Sequence, residues 1–390
     1  MSETRELFDR WQMHTYAPGP VLVSGRGARV TDETGREYLD FTAGIAVCVL
    51  GHAHPAVLET LSAQAAKLTH CSNLFVNEHA PRLAARLAAV GGLGGRSFFA
   101  NSGAEANECL IKLARKWGNA RGKNRIVAFE HSFHGRTLAT LAATWKAKYR
   151  DGFGPDMPGF AFAKYNDLDD VARVAGNDTA AVLVEAIQGE GGVTPATDGF
   201  LRGLRRLCDE RNMLLLCDEV QCGMGRTGDW FAFRHADIAP DAFSVAKGLG
   251  NGFPVGAAVA GEKLSDIFTP GAHGTTFGGN PLACAVARTV IDVIERENLL
   301  DNAKARGEEL LAGFRALREA GAPIADVRGR GLMIGVETAG PAAPHVEAMR
   351  KAGLLAILTG ENVIRLVPPL NIGAGEVAEA LAAAKTAFAR

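Results

Sequence analysis

Between Arg96 and Lys247, six short apolar runs alternate with segments of helical periodicity, and this alternation leaves few folds open. The runs are Ser97 to Ala100, Arg125 to Phe129, Phe160 to Ala163, Ala180 to Glu185, Met213 to Cys217 and Ala242 to Val245. Between several of them lie helical patterns such as Ala104 to Trp117 and Leu201 to Arg211. Runs that are apolar throughout belong to strands buried on both sides, and helical crossovers join parallel neighbours. The pattern therefore predicts an α/β fold whose mostly parallel sheet is covered by helices on both faces. At 390 residues the chain should form two or three domains.

In an open α/β sheet, ligands sit at the strand ends, and two of these runs end in chemistry-bearing side chains. Met213 to Cys217 is followed by Asp218-Glu219-Val220-Gln221, and Phe243 to Ala246 by Lys247-Gly248. An amine beside a carboxylate is what Schiff-base chemistry on a pyridine cofactor needs. The lysine holds an aldehyde and the carboxylate keeps the ring nitrogen protonated. An arbitrary pair of this kind is ordinarily a surface lysine and a solvated aspartate, and it is the neighbouring motifs that overturn that reading.

Asn101-Ser102-Gly103-Ala104-Glu105-Ala106-Asn107 follows the first run and opens a helix. Ser102 with Glu105 fits a capping box. Gly103 admits close approach of a ligand, and a helix N-terminus offers N–H groups to a phosphate. His131-Ser132-Phe133-His134-Gly135-Arg136-Thr137 puts an aromatic ring and an arginine at a second strand end, one able to stack and the other to grip a carboxylate. Val184-Glu185-Ala186-Ile187-Gln188-Gly189-Glu190 brings two acids into a glycine-rich turn at a third. Walker A is absent, and Gly329, Gly331 and Gly335 come too late for a dinucleotide fingerprint, which argues against a nicotinamide-dependent dehydrogenase.

Charge and composition narrow the class further. A net charge of -1 gives no electrostatic case for nucleic acid or an anionic membrane. Met1 to Tyr16 mixes charges with apolar residues and lacks a secretory core. The uncharged stretch Phe41 to Leu58 contains Gly51, His52, His54 and Pro55 and makes a poor membrane span, so a cytoplasmic location is expected. The seven cysteines form no C-x-x-C pair and read as small buried hydrophobes rather than a disulfide or zinc framework. His52 and His54 have no carboxylate nearby in sequence and read as a turn packed near the site, not as metal ligands.

Pro55 opens a helix with apolar positions at Val57, Leu58, Leu61, Ala65 and Leu68. After Gly279, Pro281 to Glu297 and Leu300 to Ala320 are long amphipathic patterns. A short strand region at Val327 to Glu337, a helix near Pro344 to Ala352, the segment Asn362 to Val367 and a closing helix near Gly375 to Ala389 follow. These predict a smaller α+β domain over 280–390. The stretch 1–50, with strand-like Val21 to Val23 and Tyr38 to Phe41, should pack on it, leaving 51–279 as the large ligand-binding domain.

The motifs together resemble those of class III pyridoxal-phosphate (PLP) aminotransferases of fold type I, over nearly the whole chain. The matching signatures are Gly51-His52-Ala53-His54-Pro55, the Asn101 to Asn107 run, Ser132 to Thr137, Asp218 to Gln221, Ala246-Lys247-Gly248 and His273 to Pro281. The resemblance implies a mostly parallel sheet of the seven-stranded type, PLP as cofactor, and a homodimer.

The same resemblance implies residue roles. Lys247 would carry the cofactor and move the proton, and Asp218 would hold the pyridinium nitrogen. Phe133 and Val220 would cover the two ring faces, with Gln221 near the phenolic oxygen. Ser102, Gly103 and Ala104 would bind the phosphate, joined by Thr276 from the neighbouring subunit.

Tyr16-Ala17-Pro18, Ser72 to Glu78 and Ser132 to Arg136 are most similar to acetylornithine aminotransferases. Those enzymes of arginine biosynthesis pass the δ-amino group of N-acetylornithine to 2-oxoglutarate by a ping-pong mechanism. Arg136 would then hold the α-carboxylate of the acetylated donor and Arg365 that of glutamate, with Glu190 masking Arg365 otherwise. Enzymes acting on succinylornithine, ornithine, 4-aminobutyrate or N-succinyl-diaminopimelate share much of the pattern. Aminomutases keep the lysine and aspartate too. A non-catalytic homologue would tend to lose one of that pair, and both stand here.

Overall fold

The computed structural model describes residues 2–389. Its largest sheet has seven strands, in the order Ser97–Ala100, Gly256–Ala260, Ala242–Val245, Leu214–Asp218, Thr179–Val184, Arg125–Phe129 and Phe160–Ala163. Gly256–Ala260 runs antiparallel to both its neighbours, and the other pairings are parallel. The six runs expected from sequence are all strands, two of them displaced by one residue. The seventh was not anticipated, because Gly-Ala-Ala-Val-Ala is poor in the branched and aromatic residues that mark strands.

Thr179–Val184 and Leu214–Asp218 are buried along their whole length. Successive side chains point to opposite faces of a sheet, and here each face meets its own apolar layer. Val182, Val184, Leu215, Cys217, Phe243 and Val245 pack in one cluster, and Ala181, Leu183, Leu214, Leu216 and Ala242 in the other. Helix Gly103–Asn119 closes the second layer with Cys109, Leu110, Leu113, Ala114 and Trp117. Each fully buried Leu or Val contributes about 1.5–3 kcal/mol, so the sheet is a rigid floor for whatever stands at its edge.

The N- and C-terminal parts of the chain meet in a second set of sheets. Leu22–Arg26, Arg29–Asp32 and Glu37–Asp40 form an antiparallel meander, and Leu354–Leu355 adds to it in parallel, Leu354 opposite Leu39. Ile324–Arg330, Met333–Thr338, Val363–Leu366 and Ile357–Thr359 form an antiparallel sheet, so the single strand region expected at Val327 to Glu337 is a hairpin. The flanking helices are Pro281–Arg296, Leu299–Glu319, Ala343–Lys351 and Ala374–Phe388.

Three local expectations need correction. The Pro55 helix ends at Ala65, and its buried residues are Val57 and Gln64, while Leu58 and Leu68 are about half exposed. Adjacent residues cannot share one helix face, and Val57 takes the inward one. His52 does have a carboxylate: Asp40 Oδ2 lies 2.8 Å from its Nε2, delivered by a strand 12 residues away in sequence. Asp40 is the chief cause that raises the His52 imidazole to about 10. Of the cysteines, Cys109, Cys208, Cys217, Cys222 and Cys284 are buried as expected, but Cys48 and Cys71 are partly exposed.

Candidate active site

Because the long strands run parallel, the residues that follow them gather at one edge of the sheet. Ser102 follows Ala100, His131 to Arg136 follow Phe129, Glu185 follows Val184, Asp218 ends its strand and Lys247 follows Val245. A cavity of about 230 Å³ opens there, lined by Gly103, Ala104, Phe133, Arg136, Asp218, Val220, Gln221 and Lys247, with Asn107, His134 and Glu185 beneath them.

Asp218 is 4% exposed and accepts four hydrogen bonds. Oδ1 takes the Val220 N–H at 3.0 Å and the Ser244 hydroxyl at 3.3 Å. Oδ2 takes Asn107 Nδ2 at 2.7 Å and lies 2.7 Å from His134 Nδ1. Burial works against charge on His134, but contact with Asp218 outweighs it and raises the imidazole. Glu185, also buried, accepts the N–H groups of Phe133 at 2.9 Å and Gly189 at 3.1 Å. Burial, with Asp218 close by, pushes its carboxyl up.

Lys247 has φ of 42°, in the left-handed region, at a cost of roughly 1–2 kcal/mol for a residue with a Cβ. Such strain persists where surrounding structure holds it, as at functional sites. Burial, followed by the charge of Arg365, lowers its ammonium to about 8. A good share of the amine is therefore neutral near pH 8 and available as a nucleophile and base.

The helix that starts at Gly103 turns its first peptide groups toward the cavity. The Ser102 hydroxyl accepts the Glu105 N–H at 3.2 Å, as a capping box requires. Glu105 Oε2, however, reaches the N–H of Asn101 at 2.6 Å rather than that of Ser102, so the box is displaced by one residue. N–H groups in a helix's first turn lack intrahelical acceptors and are free for an anion. A Cβ on Gly103 would stand 2.6 Å from Val220 Cγ1. Only glycine leaves that slot open.

At the other side of the cavity, Arg365 is 1% exposed on the Val363–Leu366 strand. Its Nη1 donates to Glu190 Oε1 at 2.7 Å and to Gln221 Oε1 at 3.0 Å. Burial opposes charge on Glu190, but Arg365 outweighs it and lowers the carboxyl. Thr359 ties the Glu190 turn to the neighbouring strand through bonds to the Gly189 and Glu190 carbonyls. A Cβ on Gly189 would come within 2.3 Å of Gln221 Oε1, so the turn packs directly against the amide that meets Arg365. Arg136, in contrast, has no acid partner among the described residues.

Of the residues anticipated from sequence, Thr276 alone lies away from this cluster. It is exposed on the 271–280 loop, in a separate cavity with Phe98, Asn101 and Glu105. Sequence reasoning gave no role to Asn107, His134, Glu185 or Ser244. The first three stood inside quoted motifs, and only the fold reveals that they converge beneath the cavity.

The family model described as aminotransferase class-III matches residues 13–388. The chain is 49% identical to an acetylornithine aminotransferase of Methanopyrus kandleri, over 97% of both chains. It is 46% identical to a succinylornithine transaminase of Citrobacter koseri, over 98% of this chain and 95% of that one. A solved ornithine aminotransferase from Toxoplasma gondii, with PLP at partial occupancy in its active site, superposes with a TM-score of 0.95. It is 34% identical and matches 99% of this chain and 93% of the other. The chain belongs to the class III aminotransferases, which are PLP-dependent.

The cavity fits that cofactor on its own evidence. It has a slot that a single Cβ would fill, a buried carboxylate at its floor, unpaired N–H groups at a helix start and an amine of lowered pKa.

Proposed function

We propose that this chain is a cytoplasmic enzyme that transfers the δ-amino group of N-acetyl-L-ornithine to 2-oxoglutarate. The products are N-acetyl-L-glutamate 5-semialdehyde and L-glutamate. The observation that carries the reading is the contrast between the two arginines: Arg365 is neutralised by Glu190 at 2.7 Å, while Arg136 stands free of acids among the described residues. An enzyme of this kind must place an ω-amine over the reacting centre in one half-reaction and an α-amine in the other. A bare Arg365 would draw the donor's α-carboxylate to the wrong depth.

PLP, when bound, supplies an aldehyde that captures amines and a ring that withdraws electrons from the carbon losing its proton. Lys247 would hold the aldehyde, and its Nζ would move the proton at the substrate carbon. Asp218 would keep a proton on the ring nitrogen, and His134 and Asn107 hold its carboxylate in place. Phe133 and Val220 would cover its ring, Gln221 would face the phenolic oxygen, and Ser102, Gly103 and Ala104 would bind the phosphate. Arg136 grips the donor's α-carboxylate. Glu190 releases Arg365 when glutamate or 2-oxoglutarate enters. On the same reading the site lies between a large domain over 51–279 and a small one over 280–390, joined by 1–50.

The donor assignment is tested by measuring kcat/KM with N-acetylornithine, N-succinylornithine, ornithine and 4-aminobutyrate side by side. N-acetylornithine should be the best. Another donor leading by tenfold would replace the assignment.

A homodimer belongs to the same reading, and exposed apolar surface beside Thr276 supports it. Leu74, Phe75, Val76 and Phe277 are 86%, 69%, 90% and 62% exposed. Asn73 and Asn77 tie their segments together through bonds to Thr275, Gly278 and Gly279 carbonyls. Clustered apolar surface of this kind suits an interface, across which Thr276 would reach the phosphate held by the partner. Phe277→Asp should give monomers that lose PLP, seen by sedimentation with absorbance detection. A monomer that keeps PLP and full activity would overturn the shared site.

A further inference from the structure

We infer that Tyr149 is a positioning residue for the donor half-reaction, holding Arg136 by its aromatic face. The inference rests on the reading of Arg136 given above.

Arg136 is exposed, and no hydrogen bond or ion pair of its side chain exists among the described residues. A long, flexible side chain in that situation ordinarily samples many rotamers, and ordering it costs conformational entropy. Here its guanidinium carbon lies 3.6 Å from the centroid of the Tyr149 ring and 5.6 Å from that of Phe133. The Phe133 and Tyr149 rings meet edge to face, with centroids 6.0 Å apart and planes at 85°. A guanidinium stacked on one ring and bordered by a second has little freedom to swing away.

The manner of holding matters for the chemistry. An acid partner would fix Arg136 equally well, but it would occupy N–H donors and cancel the charge, as Glu190 does for Arg365. An aromatic face attracts the cation through its quadrupole and leaves the in-plane N–H fork uncommitted. Arg136 is thus kept ready for a carboxylate at all times, whereas Arg365 is switched. The face carries the effect, since the Tyr149 hydroxyl makes no hydrogen bond among the described residues. Lys146 Nζ lies 5.5 Å from the same centroid, so the ring serves a second cation at the mouth of the site.

Tyr149 sits in the short helix Ala147–Arg150, outside the main sheet. Sequence patterning gives no reason to single it out. Its importance comes from the packing of its ring against Phe133 and Arg136, which follow the Arg125–Phe129 strand.

The test compares Tyr149→Leu, Tyr149→Phe and Arg136→Ala holoenzymes in single-turnover reactions, with N-acetylornithine for one half-reaction and glutamate for the other. Tyr149→Leu should raise the half-saturating N-acetylornithine concentration about five- to tenfold. Its limiting rate should stay within about twofold, and its glutamate half-reaction should be unchanged. Tyr149→Phe should match wild type in both. Equal losses in the two half-reactions for Tyr149→Leu, or a Phe variant as impaired as the Leu variant, would overturn the proposal. If Arg136→Ala loses the donor half-reaction while Tyr149→Leu does not, Tyr149 alone is misassigned. If Arg136→Ala leaves that half-reaction intact, the reading of Arg136 has failed and the proposal falls with it.

Discussion

Lys247→Ala should lose transamination by about 10⁴-fold or more, because on the proposed mechanism one substitution removes both the nucleophilic amine and the group that moves the proton. The loss is chemical rather than structural. Lys247 occupies a left-handed backbone conformation that alanine finds as costly as lysine does. Among the described residues its side chain makes no hydrogen bond, and the strand before it is fixed by pairing with Leu214–Asp218 and Gly256–Ala260. Thermal stability should therefore stay close to wild type while turnover disappears. Steady-state assay of the variant with N-acetylornithine and 2-oxoglutarate, beside a melting curve, measures both. Turnover within tenfold of wild type would remove Lys247 from the mechanism.

Asp218→Asn should slow the reaction on the order of 10³-fold, about 4 kcal/mol of barrier. Two effects combine. An amide cannot balance the positive charge of a protonated ring nitrogen, so electron withdrawal weakens. In addition, all four groups around the carboxylate are arranged as donors: Val220 N–H, Ser244 hydroxyl, Asn107 amide and His134. An asparagine NH₂ must face donors on one side or the other. His134 can relieve this by changing tautomer, whereas the Asn107 amide stays committed through its bond to the His134 carbonyl. The backbone pairing of Asp218 with Ser244 survives, so the variant should fold and bind cofactor. A rate within tenfold of wild type would mean that another group holds the ring nitrogen.

Much of this was legible in the sequence because the strands are buried on both faces. Such strands must be apolar throughout, so the side chain that breaks each run, Asp218 or Lys247, marks the sheet edge directly. The strand Gly256–Ala260 was illegible for the opposite reason: Gly256 and Ala257 pair with Ala100 and Phe99 in a place that takes small residues, and these carry no strand signature. The Asp40–His52 pair and the Arg365–Glu190 pair differ in the same instructive way. Periodicity reveals neither, since each joins distant segments. The second was anticipated only through resemblance to a family whose motifs include both residues. Tyr149 lay in no such motif, and the layer of Asn107, His134 and Glu185 needed three strand ends to be brought side by side.

On the proposed function, two arginines serve two carboxylates, one always open and one masked. Single-turnover kinetics of both half-reactions in Arg365→Ala tests it most directly. Losing a carboxylate contact of this kind costs about 2–5 kcal/mol where it is used. The glutamate half-reaction should therefore fall by that amount while the N-acetylornithine half-reaction stays near wild type. Equal losses in both would contradict the account and make Arg365 a structural residue.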